Sequence, residues 1–212
     1  MIQIDLSKAL AKPLARHLKP ARILDPDLYW RADVAMIGAQ ACIVAQEQYS
    51  QYVMVMCGLE SDDFGDFPQL FRERFFREVA AICKQAQLYD NQTLATQLAA
   101  LCEEQHYQLD PEPLEEGPIT KVFETLERRS LYERQPLPCD GKSAFEFSFP
   151  INSRQSRSDR ANDKPSAAEA IGNLCLNLIE RRLEGEKAGE RPVVQSTVDN
   201  IVRVDFARQR NR

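Results

Sequence analysis

A thiol and a glycine, Cys57 and Gly58, end the apolar run QYVMVMCGL (51–59), and four carboxylates, Glu60, Asp62, Asp63 and Asp66, follow at once. Such a set suggests two chemistries. A thiol beside acids and an imidazole would make a hydrolase-like site around Cys57, Asp62 and Asp63, with His17 or His106 as the base, since imidazole titrates near neutral pH. Clustered carboxylate oxygens could instead hold a hard cation, but the spacing lacks the one, three, five and twelve ligand pattern of a calcium loop. A plainer account is available: acids ahead of a helix interact favourably with its positive end, and Ser61 or Asp66 can satisfy its free amides. No metal site and no cofactor are expected.

The remaining reactive residue types point the same way. Cys42, Cys57, Cys83, Cys102, Cys139 and Cys175 include no CxxC pair and no neighbouring histidine to complete a zinc set. Five fall in apolar strand-like or helical patterns, as small buried hydrophobes do, and Cys139 sits in a loop between Pro138 and Asp140. The segment PCDGKSAF (138–145) has the Gly-Lys pair of a phosphate loop, but the required earlier glycine is Pro136. Arginines gather at Arg128 and Arg129, at Arg154, Arg157 and Arg160, and near the end at Arg208 and Arg210. They are the candidate contacts for a nucleic acid or other partner. No aromatic residues interleave with them to stack on bases.

The chain has 212 residues, 43% of them hydrophobic and 28% charged, with a net charge of −5. That composition describes an ordinary globular protein, and an acidic balance disfavours coating nucleic acid through the overall field. No apolar stretch approaches the ~20 residues that span a bilayer, and MIQIDLSKAL is polar where a signal peptide needs an apolar core. A cytoplasmic protein is expected, with neither membrane nor nucleic acid as the expected partner.

The elements that must position these residues follow from periodicity. Residues 1–6 alternate as a half-buried strand, and Ser7 caps a helix shortened by Pro13. The runs ADVAMIG, ACIVAQE and QYVMVMCGL form a three-stranded antiparallel meander. A helix begins at Pro68 and buries Phe71, Phe75, Val79, Ile82 and Cys83. A second, capped by Asp90 or Asn91, runs to about His106 and Tyr107. A third starts at Pro118 and buries Ile119, Val122, Phe123 and Leu126, ending near Glu133. Phe145, Phe147 and Phe149 alternate with polar residues as a further strand of the sheet. Ser166 and Glu169 make a capping box ahead of a helix ending near Gly185, and NIVRVDF (200–206) has strand alternation.

The opening MIQIDLSKAL, Trp30 within YWRADV, the hairpin ending in YVMVMCGL and the DDF before the helix resemble an uncharacterised bacterial family of small α+β domains. That family is found alone or beside plasmid-type open-reading-frame proteins. The likeness covers roughly residues 1–85; RRS at 128–130 echoes its basic residue followed by serine, and the continuation LYERQPLP departs from it. The resemblance implies a fold, and a place as a mobile-element accessory, with no activity to carry over.

The expectation is therefore an α+β domain over residues 1–152 with a mostly antiparallel sheet, a flexible linker over 153–165, and a helix and strand over 166–212 that dock on the domain or on a partner chain. The expected function is a non-enzymatic binding or regulatory protein acting through protein contacts or self-association of residues 166–212. A hydrolase-like site near Cys57, Asp62 and Asp63 and nucleic-acid contact through the arginines are the alternatives.

Overall fold

The structure, a computed structural model, describes residues 1–86, 91–111, 117–154 and 165–188. Within them five strands and six α-helices form an α+β fold. The strands are β1 (Ile2–Leu6), β2 (Leu28–Ile37), β3 (Gln40–Glu47), β4 (Val53–Leu59) and β5 (Gln105–Leu109), arranged in the order β4-β3-β2-β1-β5. The helices are α1 (Lys8–Ala11), α2 (Phe67–Ala86), α3 (Asn91–Glu103), α4 (Pro118–Glu127), α5 (Gly141–Asn152) and α6 (Ala167–Ala188).

The sheet is mixed. β2, β3 and β4 form the antiparallel meander, turning at Gly38, whose φ of +62° suits glycine. β1 is parallel to both of its neighbours, β2 and β5. Parallel neighbours need a crossover. α1, capped by Ser7 Oγ, begins the first one, and α2 and α3 supply the second. Pro13 limits α1 to four residues, and a 3-10 turn (Ala15–His17) follows.

Two sequence expectations are corrected. Residues 141–152, read as a Phe-rich strand, are the helix α5. Asp140 accepts from the amides of Lys142 and Ser143 while Ser143 bonds back, so a capping box nucleates the helix. Phe145 and Phe149 then meet as an i,i+4 pair, their rings tilted and 5.7 Å apart. The fifth strand comes from residues 105–109 instead: α3 ends at Glu103, so His106 and Tyr107 lie in β5 and not at a helix end. α4 passes into a π-helical turn, Arg128–Tyr132, and α6 runs through Gly185 to Ala188. The strand expected at 200–206, Asp90 and nearly all of the expected linker lie outside the described residues.

The two faces of the sheet are covered differently. One packs Ile2, Ile4, Trp30, Ile43 and Met54 against Phe71, Phe75 and Val79 of α2, Leu98 of α3, and Ile171, Cys175 and Ile179 of α6. Trp30 sits edge-on to Phe71 and Phe75, at 5.1 and 5.3 Å, an arrangement that suits ring quadrupoles. α6 thus shares the main core. On the other face, Cys42, Val44, Val53, Val55 and Cys57 pack on Val122 and Leu126 of α4 and Phe147 of α5.

That second face turns polar over β1, β2 and β5. Buried Asp5 accepts from Gln3 Nε2 at 2.7 Å and Tyr29 Oη at 2.7 Å, and from Arg22. Arg31 Nε donates to Asp110 at 2.7 Å. These bonds, with Ile23 N donating to Gln3 Oε1 at 3.4 Å, tether the 19–26 segment over the strands. The buried polar side chains on this part of the sheet are thereby paired, as burial demands.

Candidate functional site

The described residues bring together only part of what the sequence suggests. Cys57 is on β4 and His106 on β5, the two edges of the sheet. Four strand spacings of about 4.8 Å, roughly 19 Å, separate them. His17 lies at the His106 side, its ring 6.4 Å from that of Tyr107. Each histidine is engaged locally: Arg16 Nε donates to His17 Nε2 at 3.0 Å, and His106 Nε2, as the N–H tautomer, donates to Ala21 O at 2.6 Å. Asp62 and Asp63 belong to the 3-10 turn Ser61–Asp66 that leads into α2. Among the described residues no group of three or more His, Cys, Asp or Glu is placed to hold a metal ion.

The arginines are also dispersed. Arg129 lies 5.2 Å over the Phe147 ring and donates to Gln135 Oε1 at 2.7 Å, while Arg128 faces Glu133 at 3.6 Å. Arg154 follows α5, exposed; Arg157, Arg160, Arg208 and Arg210 lie outside the described residues.

What the fold does build is a cleft of about 460 Å³ at the β4 edge, between α2 on one face of the sheet and the start of α5 on the other. Leu59, Leu70, Ala81 and Phe145 form apolar walls, and Cys57, Arg74, Arg77, Cys139 and Lys142 bring functional groups to it. A mostly apolar hollow of this size with a few convergent polar groups is the usual form of a binding site.

Arg74 is its most constrained group. Nε lies 2.5 Å from Glu78 Oε1, Nη1 donates to the Gly141 carbonyl at the start of α5, and Nη2 is buried without a hydrogen-bond partner. Tyr52 Oη donates to the second Glu78 oxygen at 2.7 Å. Burial raises the Glu78 pKa despite the opposing pull of Arg74 and Tyr52, and burial with the Glu78 charge drives the Tyr52 phenol well up. The sequence carries a signal for this pair: positions 71, 74, 75, 78 and 82 share one helical face, so Arg74 and Glu78 interrupt an apolar stripe.

The β4 edge itself is half closed. The Asn152 side chain accepts from Val53 N and donates to Val53 O, both at 2.8 Å, a replacement for a neighbouring strand. At the other end Cys139 packs on Gly58 so closely that a Cβ there would lie 2.7 Å from its sulfur. Because Val53 points its backbone away from β3, the alternation of an antiparallel pair turns Val55 and Cys57 the same way. Both line the cleft.

Comparison with known families fits this chain's resemblance to small uncharacterised domains. Residues 3–105 match the family model DUF6933, a domain of unknown function. No curated protein matches the chain. The matched region spans β1 through the first residue of β5, and so contributes β4 and α2 to the cleft. Cys139, Lys142, Phe145 and Asn152 come from beyond it. No helix among the described residues is long and apolar enough to cross a membrane.

Proposed function

We propose that this protein is a non-enzymatic binding protein that takes an extended segment of a protein partner as an added strand at the β4 edge. The observation that carries this reading is the outward turn of the Val55 and Cys57 backbone into a partly apolar cleft, between the closures at Val53 and Gly58. Val55 and Cys57 are 0% and 3% exposed, so an incoming backbone gains hydrogen bonds from them by displacing the side chains that cover the edge, and its alternate side chains enter the walls of Leu59, Leu70 and Phe145. The charges along the cleft balance, with Arg74, Arg77 and Lys142 set against Glu73, Glu78 and Asp140. An uncharged, apolar segment is therefore the favoured occupant.

Selection of a random peptide library on the full chain, followed by amide exchange, tests this. Selected peptides should protect the Val55 and Cys57 amides, and N-methylation of alternate peptide amides should abolish binding. Peptides that bind without protecting those amides, or that tolerate N-methylation, would show a different mode of recognition.

A further inference from the structure

Three of the six cysteines converge at one point of the fold. Cys42 and Cys57 face each other across β3 and β4. Since Val53 turns outward, Cys57, four residues on and so two full alternations away, shares its pairing type, and Cys42–Cys57 is a non-hydrogen-bonded pair. In such pairs the Cα atoms approach to about 4.5 Å, inside the range a disulfide spans. Both side chains occupy the same small core.

Cys139 completes the group from outside. It is exposed, its sulfur presses on Gly58 next to Cys57, and it reaches Gln40 Oε1 at 3.7 Å near Cys42. Gly58 has φ +77° and no side chain, and the chain bulges here, with the register slipping after Cys42–Cys57. Any Cβ at this position would push Cys139 away. The bulge and the glycine therefore bring the exposed sulfur to the buried pair.

We propose that Cys139, Cys57 and Cys42 form a thiol relay in which the exposed Cys139 accepts oxidation from a low-molecular-weight disulfide and passes it inward, ending as a Cys42–Cys57 cross-strand disulfide. In the first step the Cys139 thiolate attacks one sulfur of the small disulfide, forming a mixed disulfide and expelling a thiolate that takes a proton from solvent. Cys57, giving its proton to solvent, attacks the Cys139 sulfur and expels the second small thiol. Cys42 then attacks the Cys57 sulfur, which returns Cys139 to its thiol. In sum, two protein S–H groups and one small disulfide become one protein disulfide and two small thiols.

Proximity sets this order, since burial raises the Cys139 thiol and the hydrogen bond to Cys42, with burial, raises the Cys57 thiol. The Cys57 thiol donates to Cys42, which lowers the Cys42 pKa against the effect of burial, and the Gly58 amide adds to it. Thiolate character favours Cys42 as the sulfur that attacks last and closes the cross-strand bond. Cys83, Cys102 and Cys175 are buried in the other core, on the opposite face of the sheet.

Excess oxidised glutathione at about pH 8, with alkylation and peptide mapping over time, tests the relay. The parent chain should lose two thiols and yield a linked Cys42–Cys57 peptide. Cys139→Ser should reach the same product at least tenfold more slowly. Cys42→Ala should stop at a Cys57–Cys139 disulfide, and Cys57→Ala at the Cys139 mixed disulfide. A parent chain that stays reduced, that retains glutathione on Cys139 as its final state, or that oxidises no faster than Cys139→Ser overturns the proposal.

Discussion

Asn152→Ala is the sharpest test of how the β4 edge is held. Asn152 is buried, and both of its hydrogen bonds go to the backbone of Val53, 99 residues away. Truncation removes two bonds worth about 1 kcal/mol each and leaves a buried N–H and C=O at a further cost of about 1 kcal/mol or more, so a loss of about 2–4 kcal/mol follows. With a urea slope of about 2–3 kcal/mol/M, the midpoint should fall by roughly 1–2 M at unchanged slope. The Val53 amide should exchange faster, and self-association should rise with concentration because the edge is now uncovered. Asn152→Asp sharpens the test. Its carboxylate still accepts from Val53 N but opposes Val53 O, whereas the protonated acid donates to that carbonyl. The folded state therefore raises the substituted carboxyl's pKa. The variant should be least impaired below the unfolded pKa of about 3.9 and lose stability as pH rises through the folded value. A midpoint change equivalent to under about 0.5 kcal/mol for Asn152→Ala, or an unaltered Val53 amide, would refute the edge-closing role.

Other expectations follow from the same packing. Arg74→Met leaves the Glu78 carboxylate buried without its counter-charge and should cost about 3–5 kcal/mol by chemical denaturation, whereas Arg74→Met with Glu78→Met should recover most of that loss. Gly58→Ala must hold φ +77° and meet the Cys139 sulfur at 2.7 Å and its Cβ at 2.8 Å, for a loss of about 2–4 kcal/mol; adding Cys139→Ala should restore only part of it, because the Cβ remains. Burial first, and then the hydrogen bond and charge of Asp5, push the Tyr29 phenol up to about 12. Ultraviolet or NMR titration should show one tyrosine ionising there and shifting down in Asp5→Asn. Since that pKa is raised by folding, its stabilising contribution is full below pH 10 and is lost as pH climbs through about 12.

The parts of the fold legible in the sequence are those whose burial pattern has one period. α2 shows its stripe because Phe71, Phe75, Val79, Ile82 and Cys83 all meet the same core. The meander is readable because its apolar runs are covered on both faces by separate clusters. Phe145, Phe147 and Phe149 carry two periods at once, since their spacing fits a strand while 145 and 149 also fit one helical face. The deciding signal is Asp140 with Ser143 three residues on, a helix start placed ahead of the ambiguous segment.

β5 was hidden for a different reason, and the same reason hides the cleft. QHYQL has a single large core residue, Tyr107, and its polar residues are buried or half-buried because β1 presents Gln3 and Asp5 beside them. No local pattern reports a strand whose neighbours are 100 residues away. The cleft is non-local in the same sense. Arg74 meets Gly141, Asn152 closes Val53 and Cys139 seats on Gly58, contacts that span 67 to 99 positions. Each joins the region matching DUF6933 to residues 139–152, so removing those residues should do more than expose a face of the sheet. It takes away the partner of Arg74, the cover of the β4 edge and the entry thiol together. A chain ending at residue 105 should consequently lose the cleft even where its sheet still forms. Slow exchange at Val53, in a truncated chain that still binds the selected peptides, would show that the domain closes its own edge.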